Sequence, residues 1–178
     1  MRIMRHASLQ ICVIYAHKRE IETKARTMLD RTDTALLAAL QKNAHLTAQE
    51  LGEALNLSAS QAGRRRQRLE AEGYISGYTA RLDPRKLGLS VQSFIQVHLN
   101  VHGPETSAGF ARLARTRPEI TSAWTMTGEA DYLLRVFCED LAALNRLIHE
   151  VLLPHEAVAR VHSQIVMDQL KQDSPLPT

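Results

Sequence analysis

The sequence is poor in aromatic residues and in cysteine, and it has no long apolar run. Aromatic residues make up 4% of the 178 residues, so a core must be built mainly from leucine, isoleucine, valine and alanine. No run approaches the roughly 18 apolar residues of a membrane-spanning helix, so no membrane partner is expected. Cys12 and Cys138 match no metal or redox spacing. We therefore expect no metal site and no cofactor, and a reducing, cytoplasmic compartment.

Positive charge is distributed unevenly along the chain. Residues 1–27 contain six Lys/Arg and two Asp/Glu, residues 28–83 contain seven of each, and residues 84–178 contain nine Lys/Arg and ten Asp/Glu. The net charge of +3 therefore comes from the N-terminal segment. No acid occurs in residues 58–69, yet four arginines lie at positions 64–68. Such a local cluster indicates a polyanionic partner better than the total charge does.

Residues 1–27 fit no pattern that follows them. The basic start and the run LQICVIYA resemble a secretory signal peptide only weakly, because the run is short, contains a glutamine and lacks a small-residue cleavage site. We predict that Met28 is the native start and that residues 1–27 are an N-terminal extension. The alternative is a genuine tail that is disordered or loosely helical.

Residues 28–83 predict a helix-turn-helix DNA-binding domain with a linker strand. Asp30 can cap a first helix, and capping boxes at residues 47–50 and 58–61 open a second and a third. The second and third helices are separated by a tight turn, which is typical of a helix-turn-helix. Residues 74–83 are predicted to form a strand or a short hairpin.

The third predicted helix places its arginines on different faces. At about 100° per residue, Arg64 points away from the core face that Ala62 and Leu69 form, and Ser60 and Gln67 lie beside it. This face of a helix-turn-helix enters the major groove, where arginine pairs with guanine and glutamine with adenine. The remaining polar residues lie on a flank that suits phosphates or at the start of the helix. The predicted DNA-binding residues are Ser58, Ser60, Gln61, Arg64, Arg65, Gln67 and Arg68.

Arg66 differs from its neighbours because it falls within the core face. An unpaired buried charge is strongly destabilising, so its guanidinium must reach solvent or find a partner. We predict that Arg66 is a structural arginine that faces Glu50 or Glu53 of the second helix. A phosphate contact is the alternative.

The second half of the chain changes period. Residues 91–101 alternate apolar with polar side chains, as a half-buried strand does. The patterns after it give the order βαββαβ, the ferredoxin-like arrangement, within residues 84–170. The predicted elements are strand 91–101, helix 105–117, strands 120–127 and 131–138, helix 140–152 and strand 158–168. Residues 171–178 are expected to be a frayed C-terminal tail.

Residues 29–170 resemble the leucine-responsive/asparagine-regulator (Lrp/AsnC) family of transcriptional regulators. The resemblance rests on the motifs LDRTDTALLAALQKN at 29–43, LSxS…RRxRLExxGxI at 57–75, GYTARLDPRKLGL at 77–89 and TGEADYLLRV at 127–136. It implies an α+β fold, in which a winged-type helix-turn-helix is joined to a ferredoxin-like effector and oligomerisation domain. It also implies double-stranded DNA as a partner, a small-molecule effector that is an amino acid or a related metabolite, and homodimers that can assemble into octamers.

The resemblance further implies that the hairpin between the second and third strands lines the effector cleft. The residues implied are Thr127, Gly128, Glu129, Ala130 and Asp131. Gly128 allows a turn, and Asp131 could accept hydrogen bonds from an α-ammonium group. The alternative is that these residues serve only the turn. Two positions depart from the family pattern, which often has an aromatic residue at 130 and usually an apolar one at 66.

Two functions from different classes remain open at this point. The first is a sequence-specific transcriptional regulator that is cytoplasmic and nucleoid-associated and is not an enzyme. The second is a small metabolic enzyme or metal-binding protein on the ferredoxin-like half. His98 and His102 fall on the same face of the predicted strand and could be metal ligands. The sequence contains no HExxH motif and no tight His/Cys cluster, so exposed polar histidines are the favoured interpretation.

Overall fold

A computed structural model describes residues 29–100 and 103–178, and the prediction for residues 1–27 lies outside them. The chain forms two compact units. Of the described residues, the first comprises 29–81 together with Lys171–Thr178, and the second comprises those within Leu82–Leu170.

The first unit contains three helices, α1 (Arg31–Lys42), α2 (Ala48–Leu55) and α3 (Ala59–Ala71). Each begins with a capping box, in which the cap side chain accepts the N–H of the residue three positions later and that residue's side chain accepts the cap N–H. These boxes satisfy backbone donors that a helix start otherwise leaves without partners. The two predicted boxes and the predicted Asp30 cap are therefore confirmed.

A small aliphatic core joins the three helices. Its fully or nearly buried members are Leu36, Leu40, Leu51, Ala62 and Leu69. Ala62 and Leu69 lie on the predicted core face of α3, and both are completely buried. The strand predicted at 74–83 is wrong, because these residues form no strand in the structure. An extended segment becomes a strand only with a neighbour to pair with, and the sequence pattern could not supply one.

The C-terminal segment, which was predicted to fray, hydrogen-bonds to the first unit. The Leu176 N–H donates to Gln41 Oε1 over 2.6 Å, and Gln41 Nε2 donates to the Leu176 carbonyl over 3.2 Å. Arg81 Nη2 donates to the Asp173 carbonyl over 2.5 Å. These bonds attach the end of the chain to α1 and to the segment that follows α3.

The second unit is a four-stranded antiparallel sheet with helices packed against its buried face. A 3-10 turn at Arg85–Leu87 precedes the sheet. The strands are β1 (Val91–Leu99), β2 (Ile120–Thr125), β3 (Tyr132–Cys138) and β4 (Val158–Ile165). The helices are α4 (Pro104–Thr116) and α5 (Leu141–Arg146), the latter continued by a π-helical segment, Leu147–Leu152. The strand order is β2-β3-β1-β4, so the predicted βαββαβ arrangement is confirmed.

The core of this unit lies between the sheet and the helices. Ile95 and Val97 of β1 and Leu134 of β3 are fully buried, in the alternation predicted for a half-buried strand. Phe110 of α4 is the largest fully buried side chain described, and its ring centre lies 4.8 Å from that of Tyr132. The other residues of this core are mainly aliphatic, as the low aromatic content predicted.

The inward face of the last helix was predicted only in part. The spacing of apolar residues in 140–152 places Leu141 on the inward face with Leu144 and Leu152, but Leu141 is 59% exposed because it is the first helical residue, directly after the cap Asp140. Leu147 was not predicted and is 2% exposed. It stands at the change from α-helical to π-helical winding, which a pattern with a constant 3.6-residue period does not anticipate.

Candidate nucleic-acid interface and effector hairpin

The turn between α2 and α3 brings these two helices into close contact. Asn56 adopts a left-handed conformation with a φ of 55°, which ends α2 and reverses the chain. The Leu57 N–H then donates to the Gly52 carbonyl over 2.8 Å. A Cβ atom on Gly52 would lie 2.7 Å from the Leu57 carbonyl oxygen, so a larger residue requires the backbone to shift. The turn therefore fixes where α3 begins relative to α2.

Three polar side chains form the outward face of α3. Ser60, Arg64 and Gln67 are all exposed, and their spacing places them on one side of the helix. Arg64 Nε donates to the Ser60 carbonyl over 3.4 Å. Ser58 and Gln61 are engaged at the start of the helix, since Gln61 Oε1 accepts the Ser58 N–H over 2.9 Å and Ser58 Oγ accepts the Gln61 N–H over 3.2 Å. The structure thus groups three of the predicted DNA-binding residues and places these two at the adjacent helix end.

Arg65 and Arg68 both reach a buried carboxylate of α1. Arg65 Nη1 lies 2.7 Å from Asp33 Oδ1 and 2.7 Å from Asp30 Oδ2. Arg68 Nη2 lies 2.5 Å from Asp33 Oδ2. Asp33 is only 1% exposed, and a charge in that environment requires such partners. These ion pairs hold the flank of α3 against the start of α1. That the same two arginines also contact phosphates stays a prediction.

Asp30 is the exposed member of this network, and its carboxylate is stabilised in the charged form. The backbone N–H of Asp33, followed by the Arg65 guanidinium, lowers the pKa of Asp30 below its ordinary value of 3.8. A group whose pKa is lower in the folded state adds stability above its unfolded pKa. The contribution of Asp30 is therefore present at neutral pH and is lost as the pH falls through its lowered value.

Arg66 contacts one residue before α2, one on α3 and one after α3. Its Nε donates to Glu70 Oε1 over 3.0 Å, and its Nη1 donates to the Leu46 carbonyl over 3.1 Å. Its guanidinium carbon lies 4.9 Å from the centre of the Tyr78 ring, a cation–π distance. The Tyr78 hydroxyl donates to Glu70 Oε1 over 2.8 Å, and this bond together with Arg66 lowers the pKa of Glu70. Arg66 is a structural arginine in this arrangement.

The predicted partners of Arg66 were nevertheless wrong. Glu50 accepts the Thr47 N–H over 2.7 Å as the return bond of a capping box. Glu53 accepts a hydrogen bond from Gln49 over 3.1 Å on the exposed side of α2. Both acids are committed within α2, and Arg66 instead uses an acid one turn along its own helix, where such pairs form readily.

The candidate effector hairpin lies between β2 and β3. Gly128 has a φ of 121°, a conformation that favours glycine, and Thr127 and Glu129 beside it are exposed. Asp131 ties the hairpin to the end of β1, because its Oδ2 accepts the Leu99 N–H over 2.8 Å and its own N–H donates to the Val97 carbonyl over 3.0 Å. One oxygen of the carboxylate proposed for an ammonium group is thus already hydrogen-bonded to the backbone.

Residues from β1 and β4 approach the same hairpin. His98 Nδ1 lies 3.0 Å from the Glu129 carbonyl oxygen, and Arg160 Nη2 lies 2.7 Å from Glu129 Oε1. Arg160 Nη2 is also 3.4 Å from His98 Nε2. A basic side chain and an imidazole therefore stand next to the hairpin that the sequence singled out, with Ala130 half-buried beside them.

Sequence reasoning missed the acid that organises α3 and the residues that flank the hairpin. Asp33 was not among the predicted site residues. A signal for its role was available, since Asp30 and Asp33 share the three-residue spacing of Arg65 and Arg68, which places each pair on one helix face. No comparable signal connects Arg160 with Glu129, because strand pairing alone brings them together.

Models of two protein families match the chain in succession. Residues 29–76 match a winged helix-turn-helix DNA-binding domain. Residues 92–176 match the Lrp/AsnC ligand binding domain. The chain belongs to the Lrp/AsnC family. The predicted family and the α+β fold class are thereby confirmed.

Individual relatives of this Lrp/AsnC protein agree with the assignment. The chain is 35% identical over 150 residues to the DNA-binding transcriptional activator DecR of Escherichia coli K12, covering 84% of this chain and 99% of that protein. It is 34% identical over 148 residues to the leucine-responsive regulatory protein of the same organism, covering 83% and 90%. A transcriptional regulator from Neisseria meningitidis, solved in complex with L-Met, superposes with a TM-score of 0.81 at 37% identity, covering 84% and 97%.

This Lrp/AsnC member is a DNA-binding, ligand-responsive transcriptional regulator. Neither described segment contains a helix long and apolar enough to cross a membrane. Within the same residues, no three His, Cys, Asp or Glu side chains are grouped so that they could hold a metal ion.

Proposed function

We propose that this regulator reads double-stranded DNA with the outward face of α3 and responds to an amino acid bound at the β2–β3 hairpin. The observation that carries the first part is the exposed face of Ser60, Arg64 and Gln67 on the second helix of a helix-turn-helix. Arg64 offers two hydrogen bonds to guanine, and Gln67 or Gln61 can pair with adenine. Ser58, at the start of the helix, would meet a phosphate.

We propose that Arg65 and Arg68 bind phosphates while they remain paired with Asp33. Asp33 holds one nitrogen of each guanidinium, and arginine has further N–H donors that such a pair leaves available. We propose that the ion pairs orient these donors toward the DNA backbone. A pre-oriented donor loses less entropy on binding than a free side chain does.

Replacing Arg64 with alanine should relax sequence preference at one base pair per half-site. The lost guanine contact corresponds to about 1–3 kcal/mol at that position. Selection from a pool of random duplexes, followed by titration of the selected and singly mutated sites, measures this loss. Because a C2 dimer places two α3 helices on half-sites about one helical turn apart, the selected site should be a rough palindrome.

Arg115→Ala provides the matched control for this experiment. Arg115 is exposed on α4 in the other unit, so its removal changes the net charge equally. An Arg64→Ala protein that selects the same site as the parent, with the same penalty for each base change, would exclude Arg64 as a base-reading residue. If the parent protein itself binds no duplex DNA at low salt, the enzyme or metal-binding alternative would be favoured.

The effector assignment rests on the hairpin and on a relative. The Neisseria meningitidis protein was solved with L-Met, and this chain shares its fold over most of its length. Asp131, whose carboxylate already accepts the Leu99 N–H, would also accept the α-ammonium group, and nearby backbone N–H groups would hold the α-carboxylate. Arg160 and His98 border the same hairpin and would influence which side chains fit.

A thermal-shift screen of the twenty amino acids should identify the effector. A ligand at about 100 times its Kd adds about 2.7 kcal/mol of stability. Asp131→Asn keeps an acceptor for the Leu99 N–H but removes the negative charge, so we expect an unchanged melting temperature without ligand and about tenfold weaker binding. Asp168→Asn, at an exposed position, is the control. Equal affinity of Asp131→Asn and the parent protein would place the effector elsewhere.

We also propose that the protein is a homodimer that assembles into an octamer, that it acts in the cytoplasm on the nucleoid, and that it has no enzymatic activity. The support is the family, whose members named above are transcription regulators. Sedimentation analysis across a concentration series, with and without the effector, tests the assembly. A monomer at all concentrations would contradict it.

A further inference from the structure

The second unit, Leu82–Leu170, which is the ligand-binding unit, contains a cavity of about 340 Å³ that the proposed function does not use. We infer that it is a second small-molecule site, and that it takes a basic amino acid, with one carboxylate and two ammonium groups on an aliphatic chain. Its walls come from the end of β3, from α5 with its π-helical continuation, and from the segment between α4 and β2. The volume lies in the range of ordinary ligand pockets.

This cavity is separate from the effector hairpin. The hairpin immediately precedes Tyr132, the first residue of β3, whereas the cavity is lined by Phe137 and Cys138 at the other end of that strand. A strand rises about 3.3 Å per residue, so the two places are roughly 20 Å apart along β3. A ligand in one would therefore not touch the other.

The inner wall of the cavity is apolar. Phe137, Leu147 and Val151 line it together with smaller side chains, and Leu147 is almost completely buried. An aliphatic chain of four carbons would remove water from this wall, which stabilises binding at about 25 cal/mol per Å² of apolar surface. The wall therefore favours a ligand with an extended hydrocarbon portion over a small ion.

Five charged side chains also line the cavity, and two of them neutralise each other. Arg117 Nη2 donates to Glu119 Oε1 over 2.7 Å and Arg117 Nε donates to Glu119 Oε2 over 3.2 Å, a two-point pair. The other three are Arg146, Glu139 and Glu150, all exposed at the rim. None of these three forms a salt bridge with any residue that the structure describes.

The charges that remain define the ligand. One guanidinium and two carboxylates are complemented by one carboxylate and two ammonium groups. L-lysine has this set of charges, on a chain long enough to cover the apolar wall. Norleucine lacks the second ammonium group and cadaverine lacks the carboxylate, so each leaves part of the rim without a partner. Because the rim charges are exposed, their attraction is modest and weakens with salt.

Calorimetric titration of the full-length protein at low ionic strength tests this inference. We expect L-lysine to bind about fivefold more tightly than norleucine and about fivefold more tightly than cadaverine, the ratio for one exposed ion pair of about 1 kcal/mol. Arg146→Gln should remove the preference over cadaverine, and Glu139→Gln combined with Glu150→Gln should remove the preference over norleucine. Arg115→Gln, at an exposed position outside the cavity, should leave both ratios unchanged.

Methyl NMR spectra locate the bound lysine independently. The methyl groups of Leu147 and Val151 should shift on titration, while the amides of residues 127–131 stay in place. Shifts confined to residues 127–131 would overturn the second site and assign lysine to the hairpin instead. Equal affinities for lysine, norleucine and cadaverine, or an Arg146→Gln protein that binds as the parent does, would overturn the charge argument. None of these results bears on the DNA-reading role of α3.

Discussion

Replacing Asp33 with alanine will destabilise the helix-turn-helix unit by about 3 kcal/mol, near the lower end of the range for breaking a buried ion pair. The mutation removes both carboxylate oxygens that hold Arg65 and Arg68, and it leaves two guanidinium groups beside a cavity. Both arginines are partly exposed and can turn toward water, which limits the loss. It also removes the return bond of the α1 capping box.

Hydrogen exchange of the α3 amides measures this effect within one unit. Trp124, the single tryptophan of the chain, lies on β2 in the other unit. Its fluorescence should report an unchanged unfolding transition. Asp30→Ala is the comparison, because Asp30 pairs with Arg65 but not with Arg68 and is half-exposed. It also caps α1, so its removal should cost about 1 kcal/mol, clearly less than the loss of Asp33. An Asp33→Ala protein with parental exchange rates in α3 would show that these ion pairs do not hold the helix.

Replacing Gly52 with alanine should cost about 2 kcal/mol, although alanine is the better helix former. The added Cβ would lie 2.7 Å from the Leu57 carbonyl oxygen and 3.3 Å from the Ala59 nitrogen. Both are backbone atoms of the turn and the start of α3, so the turn must shift as a whole. Overpacking of this kind costs about 1–3 kcal/mol, and the gain in helix propensity of about 1 kcal/mol offsets only part of a large shift.

Gly63→Ala is the matched control, since it makes the same chemical change in the neighbouring helix. A Cβ at Gly63 would meet only the Ala48 Cβ, at 3.6 Å, an ordinary contact. We expect this variant to be neutral or more stable by up to about 1 kcal/mol. Urea unfolding followed by circular dichroism compares the two. Equal stabilities of the two variants would mean that the turn can accommodate a methyl group.

Local signals in the sequence were sufficient to place most helices and strands. A capping box is contained within four residues, so residues 47–50 and 58–61 predict their helix starts without any knowledge of the fold. Alternation along residues 91–99 likewise reports burial on one side of a strand. The strand predicted at 74–83 had the right composition, but strand formation depends on a partner that composition does not reveal.

The partners of the arginines could not be obtained in the same way. The sequence indicated that Arg66 differs from Arg64, because the angle around a helix is a local property. Which carboxylate each arginine meets depends on how α1 and α3 cross, and that is set by the packing of Leu36, Leu40 and Leu69. Arg65 and Arg68 were therefore placed on a flank correctly, while their contacts with Asp33 were found only in the structure.

The candidate effector hairpin shows the same limit. The glycine at 128 and the acid at 131 were identified from the motif TGEAD. Their surroundings come from residues about 30 positions away, because Glu129 meets His98 and Arg160 only once β1 lies between β3 and β4. Which oxygen of Asp131 is already bonded to Leu99 is likewise a property of the assembled sheet.

The hydrogen bonds from Gln41 and Arg81 to the C-terminal segment have a consequence for dissecting this protein. They make the DNA-binding unit discontinuous in sequence, with Leu82–Leu170 inserted between its two parts. A fragment that stops after Arg81 would lose the segment that these side chains hold, whereas the ligand-binding unit can be excised as one continuous piece. An affinity tag fused after Thr178 would likewise be attached to the DNA-binding unit, so a cleavable tag at that end is needed for any measurement of DNA affinity.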